Sequence, residues 1–257
     1  MKIAKQTFLV TGGASGLGAA TATELVTRGA QVIIADLNIE AGKALVKKLG
    51  EQQAVFSPCD VTDENQVATA IQLGQQTFGE LSGVINCAGI VVVQKLLDRD
   101  LNPASLNDFS KGIQINLIGS FNVARLAAAA MARKTANKEA DGEKGVIIQT
   151  ASIAAFDGQV GQASYAASKA GAVGMTLPMA RELARHGIRV MTIAPGVCGT
   201  PMMAGIPDEA RATLEASVPF PKRLGKPEEF ASLVAHIIEN TYLNGEVIRM
   251  DGAIRMS

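Results

Sequence analysis

The sequence predicts an α/β fold, a doubly wound parallel sheet of about seven strands with helices on both faces. Short runs rich in β-branched residues alternate with longer amphipathic stretches along the whole chain. Several of these runs, such as QVIIAD (31–36), are continuously apolar, which is typical of strands covered on both faces. No linker, repeat or low-complexity tract divides the 257 residues, so we expect one domain spanning 1–257.

Each element has its own signal. Strands are predicted at 6–12, 31–36, 53–61, 81–89, 145–152, 188–196 and 244–252. Helices are predicted at 18–29, 38–50, 63–79, 115–132, 165–187 and 227–240. Gly50 is a plausible C-cap of the second helix, and Thr62 or Asp63 opens the third.

Two segments interrupt this alternation. Residues 133–144 are polar and charged, which favours a solvated loop before the fifth strand. Residues 205–227 are rich in proline and follow the sixth strand. Because ligands of open parallel sheets bind beyond the carboxyl ends of the strands, we expect the segment 199–227 to cover a bound substrate.

Composition excludes several classes of protein. With 47% hydrophobic and 19% charged residues, the chain can bury a large core, and disorder is not expected. Lys plus Arg equals Asp plus Glu at 24 each, so we expect no nucleic-acid partner.

The few cysteines and histidines argue against metal and disulfide sites. Cys59, Cys87 and Cys198 are far apart and lack C-x-x-C spacing, and His186 and His236 are the only histidines. We therefore expect no metal and a reducing compartment. The N-terminal residues run directly into a strand, and no uninterrupted apolar run reaches about 18 residues. We expect a cytoplasmic protein without a membrane partner.

The turn after the first strand is rich in glycine. VTGGASGLG places Gly12, Gly16 and Gly18 between a strand and a helix, in G-x-x-x-G-x-G spacing. A helix N-terminus offers free N–H groups and partial positive charge, and absent side chains let a pyrophosphate approach them. Glycines also serve ordinary tight turns, but the strand before and the helix after favour a dinucleotide site.

Asp36 ends the second strand and predicts which dinucleotide binds. A carboxylate at this point accepts hydrogen bonds from both hydroxyls of the adenosine ribose and repels a 2′-phosphate. Asp36 could instead cap the next helix, although Asn38 could take that role. No basic residue directly follows in ADLNIEAG, so NAD is favoured over NADP.

Tyr165, one of only two tyrosines, stands four residues before Lys169 in QASYAASKAG. Taken alone, this spacing fits a half-buried helix in which the tyrosine packs and the lysine is solvated. The ordered set of motifs in the rest of the chain favours a catalytic pair instead. That set comprises T-G-x-x-x-G-x-G (11–18), Asp60, N-x-A-G (86–89), Asn116, Ser152, Y-x-x-x-K (165–169), Pro195-Gly196 and Thr200.

This set resembles the short-chain dehydrogenase/reductase family over essentially the whole chain. The resemblance implies a single-domain Rossmann fold and hydride transfer between a carbinol carbon and a nicotinamide. A free phenol has a pKa near 10. Because residues i and i+4 share a helix face, Lys169 can lie near Tyr165 and favour the tyrosinate, so that Tyr165 acts as acid and base.

The resemblance also assigns the other site residues. Ser152 would donate to the substrate oxygen, and Asn116 would position a water that connects Lys169 to solvent. Tyr165 and Lys169 would also contact the coenzyme. Cys87 replaces a residue that is often alanine, and we interpret it as a small buried hydrophobe. The remaining coenzyme contacts implied are Ser15, Leu17, Asp60, Val61, Cys87, Gly89, Pro195, Cys198 and Thr200.

The substrate is less constrained by the sequence. NCAGI (86–90), FDGQVGQ (156–162) and VPFPKRLGKPEEFASLV (218–234) resemble family members that oxidise short or branched L-3-hydroxyacyl-CoA to 3-ketoacyl-CoA in fatty acid and branched-chain amino acid catabolism. Gln162 is the candidate substrate contact. Departures from that pattern at 91–108 and 203–217, the loops expected to shape the acyl pocket, leave the acyl chain length open.

Two other functions stay open. One is an NAD-dependent dehydrogenase of a hydroxysteroid or another free secondary alcohol. Basic residues gathered at the cleft mouth would favour the CoA ester, and the candidates are Lys95, Arg99, Lys222 and Arg223. The other is a non-catalytic NAD-binding protein, which should have lost a catalytic side chain. The resemblance further implies a homotetramer, with interfaces at the helices around Asn116 and Tyr165 and at the C-terminal residues 247–256.

Overall fold

A parallel sheet forms the centre of the molecule. The computed structural model describes residues 1–135, 141–203 and 208–256. Its strands are β1 Thr7–Thr11, β2 Gln31–Asp36, β3 Ala54–Pro58, β4 Leu81–Asn86, β5 Gly145–Thr150, β6 Ile188–Pro195 and β7 Val247–Met250. All pair in parallel, in the order β3-β2-β1-β4-β5-β6-β7. The predicted fold class is confirmed.

Helices cover both faces of this sheet. They are α1 Gly16–Thr27, α2 Ile39–Leu49, α3 Glu64–Phe78, α4 Leu106–Ile113, α5 Ser120–Ala132, α6 Ala163–Leu183, α7 Asp208–Ala216 and α8 Pro227–Glu239. One buried cluster packs α1, α2 and α8 against the sheet, and a second packs α3, α5 and α6 against the opposite face. The apolar strands are buried because both of their faces meet helices.

Side-chain caps fix where several helices begin. Asn38 accepts the Ala41 N–H at the start of α2, so it is Asn38 that caps this helix. Asp63 accepts from Asn65 and Gln66 and opens α3. Gly50 ends α2 with a φ of 95°, a conformation that costs glycine little.

The helix around Asn116 differs from the prediction. It begins at Leu106, where Ser105 caps α4, and continues through a π-helical turn at Gln114–Gly119 into α5. The whole run Leu106–Ala132 is long and apolar enough to span a membrane, with a mean hydropathy of 1.3 in its best window. The run is not continuously apolar, since Asn116, Asn122 and Arg125 interrupt it. Its apolar residues serve the core here, since α5 packs on β4 and β5.

The two segments predicted as interruptions also contain ordered structure. Residues 136–140 and 205–207 of these segments lie outside the described residues. Glu143 is buried in an ion pair with Arg189, at 2.7 Å, so this end of 133–144 is not a solvated loop. Within 205–227 the described residues form α7, which the prolines of the segment hid from the sequence prediction.

Candidate active site

A cavity of about 650 Å³ opens beyond the carboxyl ends of the strands. It lies where the strand order reverses between β1 and β4, as ligand sites of such sheets do. Every predicted coenzyme and substrate residue lines it, from Gly12 to Thr200. Of the predicted catalytic, coenzyme and substrate residues, Asn116 alone does not line the cavity. The fold thus brings the residues together, and their individual roles stay predictions.

The glycine turn is built for close backbone approach. Gly12 has a φ of +60°, and a Cβ there would lie 2.8 Å from the Ala88 nitrogen. A Cβ on Gly18 would collide with the Gly12 carbonyl oxygen. Ser15 precedes α1 but its side chain makes no cap, and the first turn holds no acidic residue. The N–H groups that begin α1 are therefore not taken by side chains, which fits a bound pyrophosphate.

Asp36 is held at the end of β2 by two backbone groups. Its Oδ2 accepts the Ala14 N–H at 3.0 Å, and its Oδ1 accepts the Asn38 N–H at 2.9 Å. Each carboxylate oxygen keeps further lone pairs for a ligand. Among the described residues that line the cavity, Lys169 is the only cation, so no arginine offers a site for a 2′-phosphate. This arrangement fits the diol of a ribose.

Ser152, Tyr165 and Lys169 meet at the end of β5. Ser152 Oγ accepts the Ala154 N–H at 3.1 Å, which fixes the serine at the start of a short 3₁₀ turn. Lys169 Nζ donates to the Thr150 carbonyl oxygen at 2.7 Å and lies 5.9 Å from the centroid of the Tyr165 ring. Burial lowers the pKa of Lys169 to about 8.

The protonation of Tyr165 in the coenzyme-free protein is governed mainly by burial. Burial raises the pKa of the phenol above its usual value, and the Ser152 hydroxyl lowers it by hydrogen bonding without cancelling that rise. Lys169 does not reverse the effect, because its ammonium is itself desolvated and is bonded to the Thr150 carbonyl. In the free protein Tyr165 is therefore a phenol at neutral pH.

Asn116 connects the loop after β4 to the catalytic helix. It sits in the π-helical turn, 1% exposed, with Oδ1 accepting the Ile90 N–H and Nδ2 donating to the Ile90 carbonyl oxygen. Nδ2 also donates to Ser168 Oγ at 3.0 Å, and Ser168 in turn donates to the Tyr165 carbonyl oxygen at 2.8 Å. π-Helical turns are frequent at functional sites because they shift side chains and carbonyls out of helical register.

Ser168 was not among the predicted site residues. It is fully buried one residue before Lys169, on the helix face that also carries Tyr165 and Ala172. The sequence signal that could have revealed it is a small polar residue three positions after Tyr165, on the same helix face. Its hydroxyl joins the two elements that hold Asn116 and Tyr165, so it stabilises their relative position.

The loop after β6 closes over the glycine turn. A Cβ on Gly16 would lie 3.3 Å from the Thr200 Cβ, and the Thr200 N–H donates to the Cys198 carbonyl oxygen at 2.9 Å. Cys59, which the sequence did not single out, also lines the cavity beside Cys87 and Cys198. Burial raises the pKa of Cys59 to about 12, and of Cys87 and Cys198 to about 11. All three are neutral thiols near pH 7, as expected for small apolar packing groups.

The rest of the cavity wall is largely apolar, and part of it comes from the loops 91–108 and 203–217 that were expected to shape the acyl pocket. The loops after β4, β5 and β6, α7 and the C-terminus contribute Val91, Val93, Ile153, Met203, Leu214 and Met256. Gln162 stands at its edge, where its Oε1 accepts the Gln159 N–H at 3.0 Å.

The four basic candidates do not converge on this cavity. None of Lys95, Arg99, Lys222 and Arg223 lines it. Arg223 is engaged by Glu229, with guanidinium-to-carboxylate distances of 2.6 and 2.9 Å.

Fold and site together define a dinucleotide-dependent oxidoreductase. The chain belongs to the short-chain dehydrogenase family, whose model (short chain dehydrogenase) matches residues 6–211. It is therefore an enzyme that acts on CH–OH groups with a nicotinamide coenzyme.

Its relatives are similar over nearly their whole length. The chain is 55% identical to 3-hydroxyacyl-CoA dehydrogenase type-2 of Bos taurus, over 96% of this chain and 94% of that protein. The identity to the Drosophila melanogaster protein of the same name is 53%, over 96% of both chains. The crystal structure of 3-hydroxyacyl-CoA dehydrogenase type-2 from Mycobacterium avium superposes with a TM-score of 0.94 at 45% identity, covering 100% of this chain and 99% of that one.

Proposed function

We propose that this protein is an NAD-dependent dehydrogenase that interconverts L-3-hydroxyacyl-CoA and 3-ketoacyl-CoA with short or branched acyl chains. The observation that carries the proposal is the likeness, over nearly the whole chain, to relatives named for that activity. The retention of Ser152, Tyr165, Lys169 and Asn116 in one arrangement supports catalysis over a purely binding role.

NAD is the coenzyme we propose, and Asp36 is the reason. Its carboxylate is oriented by Ala14 and Asn38 and would accept from the two ribose hydroxyls. A 2′-phosphate would meet this negative charge with no compensating cation among the described residues of the cavity. The glycine turn at Gly12, Gly16 and Gly18 would hold the pyrophosphate.

The chemistry needs a hydride carrier and a proton carrier. When bound, the nicotinamide supplies or accepts the hydride at C3 of the substrate. Tyr165 Oη supplies the proton to the ketone oxygen in reduction and takes it from the 3-hydroxyl in oxidation. Ser152 donates a hydrogen bond to the same oxygen and holds it beside the phenol. Lys169, protonated below about pH 8, places positive charge near Tyr165 and stabilises the tyrosinate formed in reduction.

The test is steady-state oxidation of NADH by acetoacetyl-CoA, followed by absorbance. Free acetoacetate is the matched control, since it has the same ketone without the thioester arm. Fast turnover of the thioester alone supports the proposal. If both compounds fail while NADH still binds, the substrate assignment is wrong and the family assignment stands.

A free secondary alcohol, such as a hydroxysteroid, is the second candidate. It is favoured by the apolar wall around Val93, Leu214 and Met256 and by the lack of convergence among the basic candidates. Turnover of a hydroxysteroid with a kcat/KM above that of acetoacetyl-CoA would make it the better assignment.

We extend the proposal to assembly and location. The α4–α5 run and α6 expose Leu106, Ile118, Phe121 and Leu177, and burying such apolar groups between copies supports a homotetramer. Its molecular mass in solution is the measurement. The three free cysteines support a reducing compartment such as the cytoplasm. A role in fatty acid or branched-chain amino acid catabolism would follow from the substrate class.

A further inference from the structure

A cluster of charged side chains lies next to the turn that begins with Ser152. Arg249 extends from β7, and its guanidinium donates to Asp157 Oδ2 at 2.6 Å and to Asp251 Oδ2 at 2.8 Å. Arg255 also donates to Asp251 Oδ2, at 3.0 Å. None of these four charged residues lines the cavity. Because two arginines face two aspartates, the charges balance within the cluster, which indicates a link between elements rather than a site for an anion.

On one side, Arg249 holds residues 152–157, which we call the serine turn. Ser152 caps the start of this turn with its side chain. At the other end, the Asp157 N–H donates to a backbone carbonyl oxygen of the same turn at 2.9 Å. The guanidinium of Arg249 also lies over the Phe156 ring, 5.1 Å from its centroid. Since backbone hydrogen bonds close the turn, a shift of Asp157 would displace Ser152 as well.

On the other side, Arg249 holds the C-terminal residues. Its guanidinium donates to the Ile254 carbonyl oxygen at 3.3 Å. The Ile254 side chain is 2% exposed and shares a buried cluster with Ile153 of the serine turn. Met256, which follows closely in the chain, lines the cavity. Arg249 therefore joins the turn that carries Ser152 to a segment that completes the substrate wall.

We propose that Arg249 is a positioning residue, which fixes the serine turn so that the Ser152 hydroxyl is directed at the substrate oxygen. The inference rests on the proposed function, in which Ser152 donates a hydrogen bond to that oxygen. Arg249 does not line the cavity and so acts through Ser152. A misplacement of about 1 Å at a reacting group can lower a rate about 100-fold. Loosening the serine turn should therefore lower kcat more than it weakens substrate binding.

The experiment is a double-mutant cycle between Arg249 and Ser152, with acetoacetyl-CoA and NADH as substrates. Arg249→Gln should lower kcat about tenfold and change KM less than about twofold. Ser152→Ala should lower kcat about 100-fold, the size expected for loss of one hydrogen-bond donor to the reacting oxygen. In the Ser152→Ala background, Arg249→Gln should lower kcat less than about twofold further, because the hydroxyl that Arg249 positions is gone. Single-turnover rates keep the slow variants measurable.

Three further variants make the cycle specific. Arg255→Gln is the matched control, since Arg255 shares Asp251 but is 58% exposed, with its Nε 4.0 Å from Asp157 Oδ2. It should change kcat less than about twofold. Arg249→Lys keeps the positive charge and should recover part of the rate. Asp157→Asn breaks the same ion pair and takes the place of Arg249→Gln in the cycle if that variant does not fold.

The outcomes separate this inference from the function on which it rests. If Arg249→Gln lowers kcat by the same factor with and without the Ser152 hydroxyl, or leaves kcat unchanged, the inference is wrong while the proposed function stands. An equal loss of kcat in Arg255→Gln would also contradict it. If the wild-type enzyme does not turn over acetoacetyl-CoA, the proposed function fails and the inference fails with it.

Discussion

The coenzyme half and the substrate side of the cavity are built differently. The coenzyme half consists of strand ends and of glycines packed on backbone, as where Gly12 lies against Ala88. The substrate side consists of side chains on long connections, and some of its apolar groups are exposed, with Val91 at 40% and Val93 at 65%. The sheet therefore fixes where the reaction takes place, whereas the connections decide which molecule reacts.

The most severe test of this division is Tyr165→Phe, which removes only the phenolic oxygen. We expect kcat to fall about 10³-fold, within the range for loss of a general acid or base, with NADH affinity little changed. Single-turnover kinetics and NADH fluorescence titration are the measurements. Substantial residual turnover would remove Tyr165 from the acid–base role.

The rates of reduction and oxidation should depend differently on pH. Because burial raises the pKa of Tyr165, the phenol is protonated at neutral pH. Reduction uses that proton and should be insensitive to pH near neutrality, falling at high pH. Oxidation needs the tyrosinate and should rise up to about tenfold per pH unit until the apparent pKa of the complex is reached. Initial rates in both directions from pH 6 to 10 test this, and an oxidation rate that falls with pH contradicts it.

A substitution at Asp36 should affect the coenzyme half alone. Asp36→Ala should weaken NADH binding about 10- to 100-fold, because hydrogen bonds to a charged acceptor are lost, and should reduce discrimination against NADPH. Asp36→Asn retains one acceptor without the charge and serves as the control. Dissociation constants for both coenzymes are the measurement, and an unchanged preference would mean that the ribose is recognised elsewhere.

Ser168→Ala tests whether the buried connection between Asn116 and Tyr165 matters for the reaction. We expect kcat to fall about three- to tenfold, with a shifted pH profile and little change in KM. The reason is that the hydroxyl's hydrogen bonds with Asn116 Nδ2 and with the Tyr165 carbonyl oxygen are both lost. Ser164→Ala is the matched control, since Ser164 is equally buried on α6 but donates to the Phe109 carbonyl oxygen. Equal losses in both variants would indicate a general packing effect.

The smallest effect is expected on the substrate side. Leu214→Ala should raise KM about two- to fivefold for the longer of two acyl thioesters by removing apolar contact, and should leave NADH affinity unchanged. Thr213→Ala, on the exposed face of α7, provides the comparison. Weakened NADH binding in the Leu214 variant would show that the two regions are not separable.

The same division explains what the sequence could predict. Strand ends and glycine spacing determine backbone positions, so the places of Gly12 and Asp36 in the cavity could be predicted before the fold was known, whereas Tyr165 was placed by the resemblance of its motif. The π-helical turn at Gln114–Gly119 could not be predicted, because a one-residue shift of hydrogen bonds leaves no distinct pattern in the residues.

The individual apolar residues that line the substrate side of the cavity have no such positional signal in the sequence. Val93 and Met256 are ordinary apolar residues, and only the folded chain brings them into one cavity. The rise in the pKa of Tyr165 in the coenzyme-free protein could not be predicted either, because the burial of the phenol depends on packing that helix spacing does not reveal. The separation of the basic candidates could not be foreseen either, since Arg223 finds its carboxylate partner only in the fold.

The single backbone hydrogen bond between Gln94 and Gly161 has an evolutionary consequence. It joins the loop after β4 to the segment before α6, outside the hydrogen-bond ladder of the sheet, so insertions or deletions in either connection need not disturb any strand. Mutations confined to a few surface connections can then change the substrate of such an enzyme, while the residues that carry out its redox chemistry stay the same.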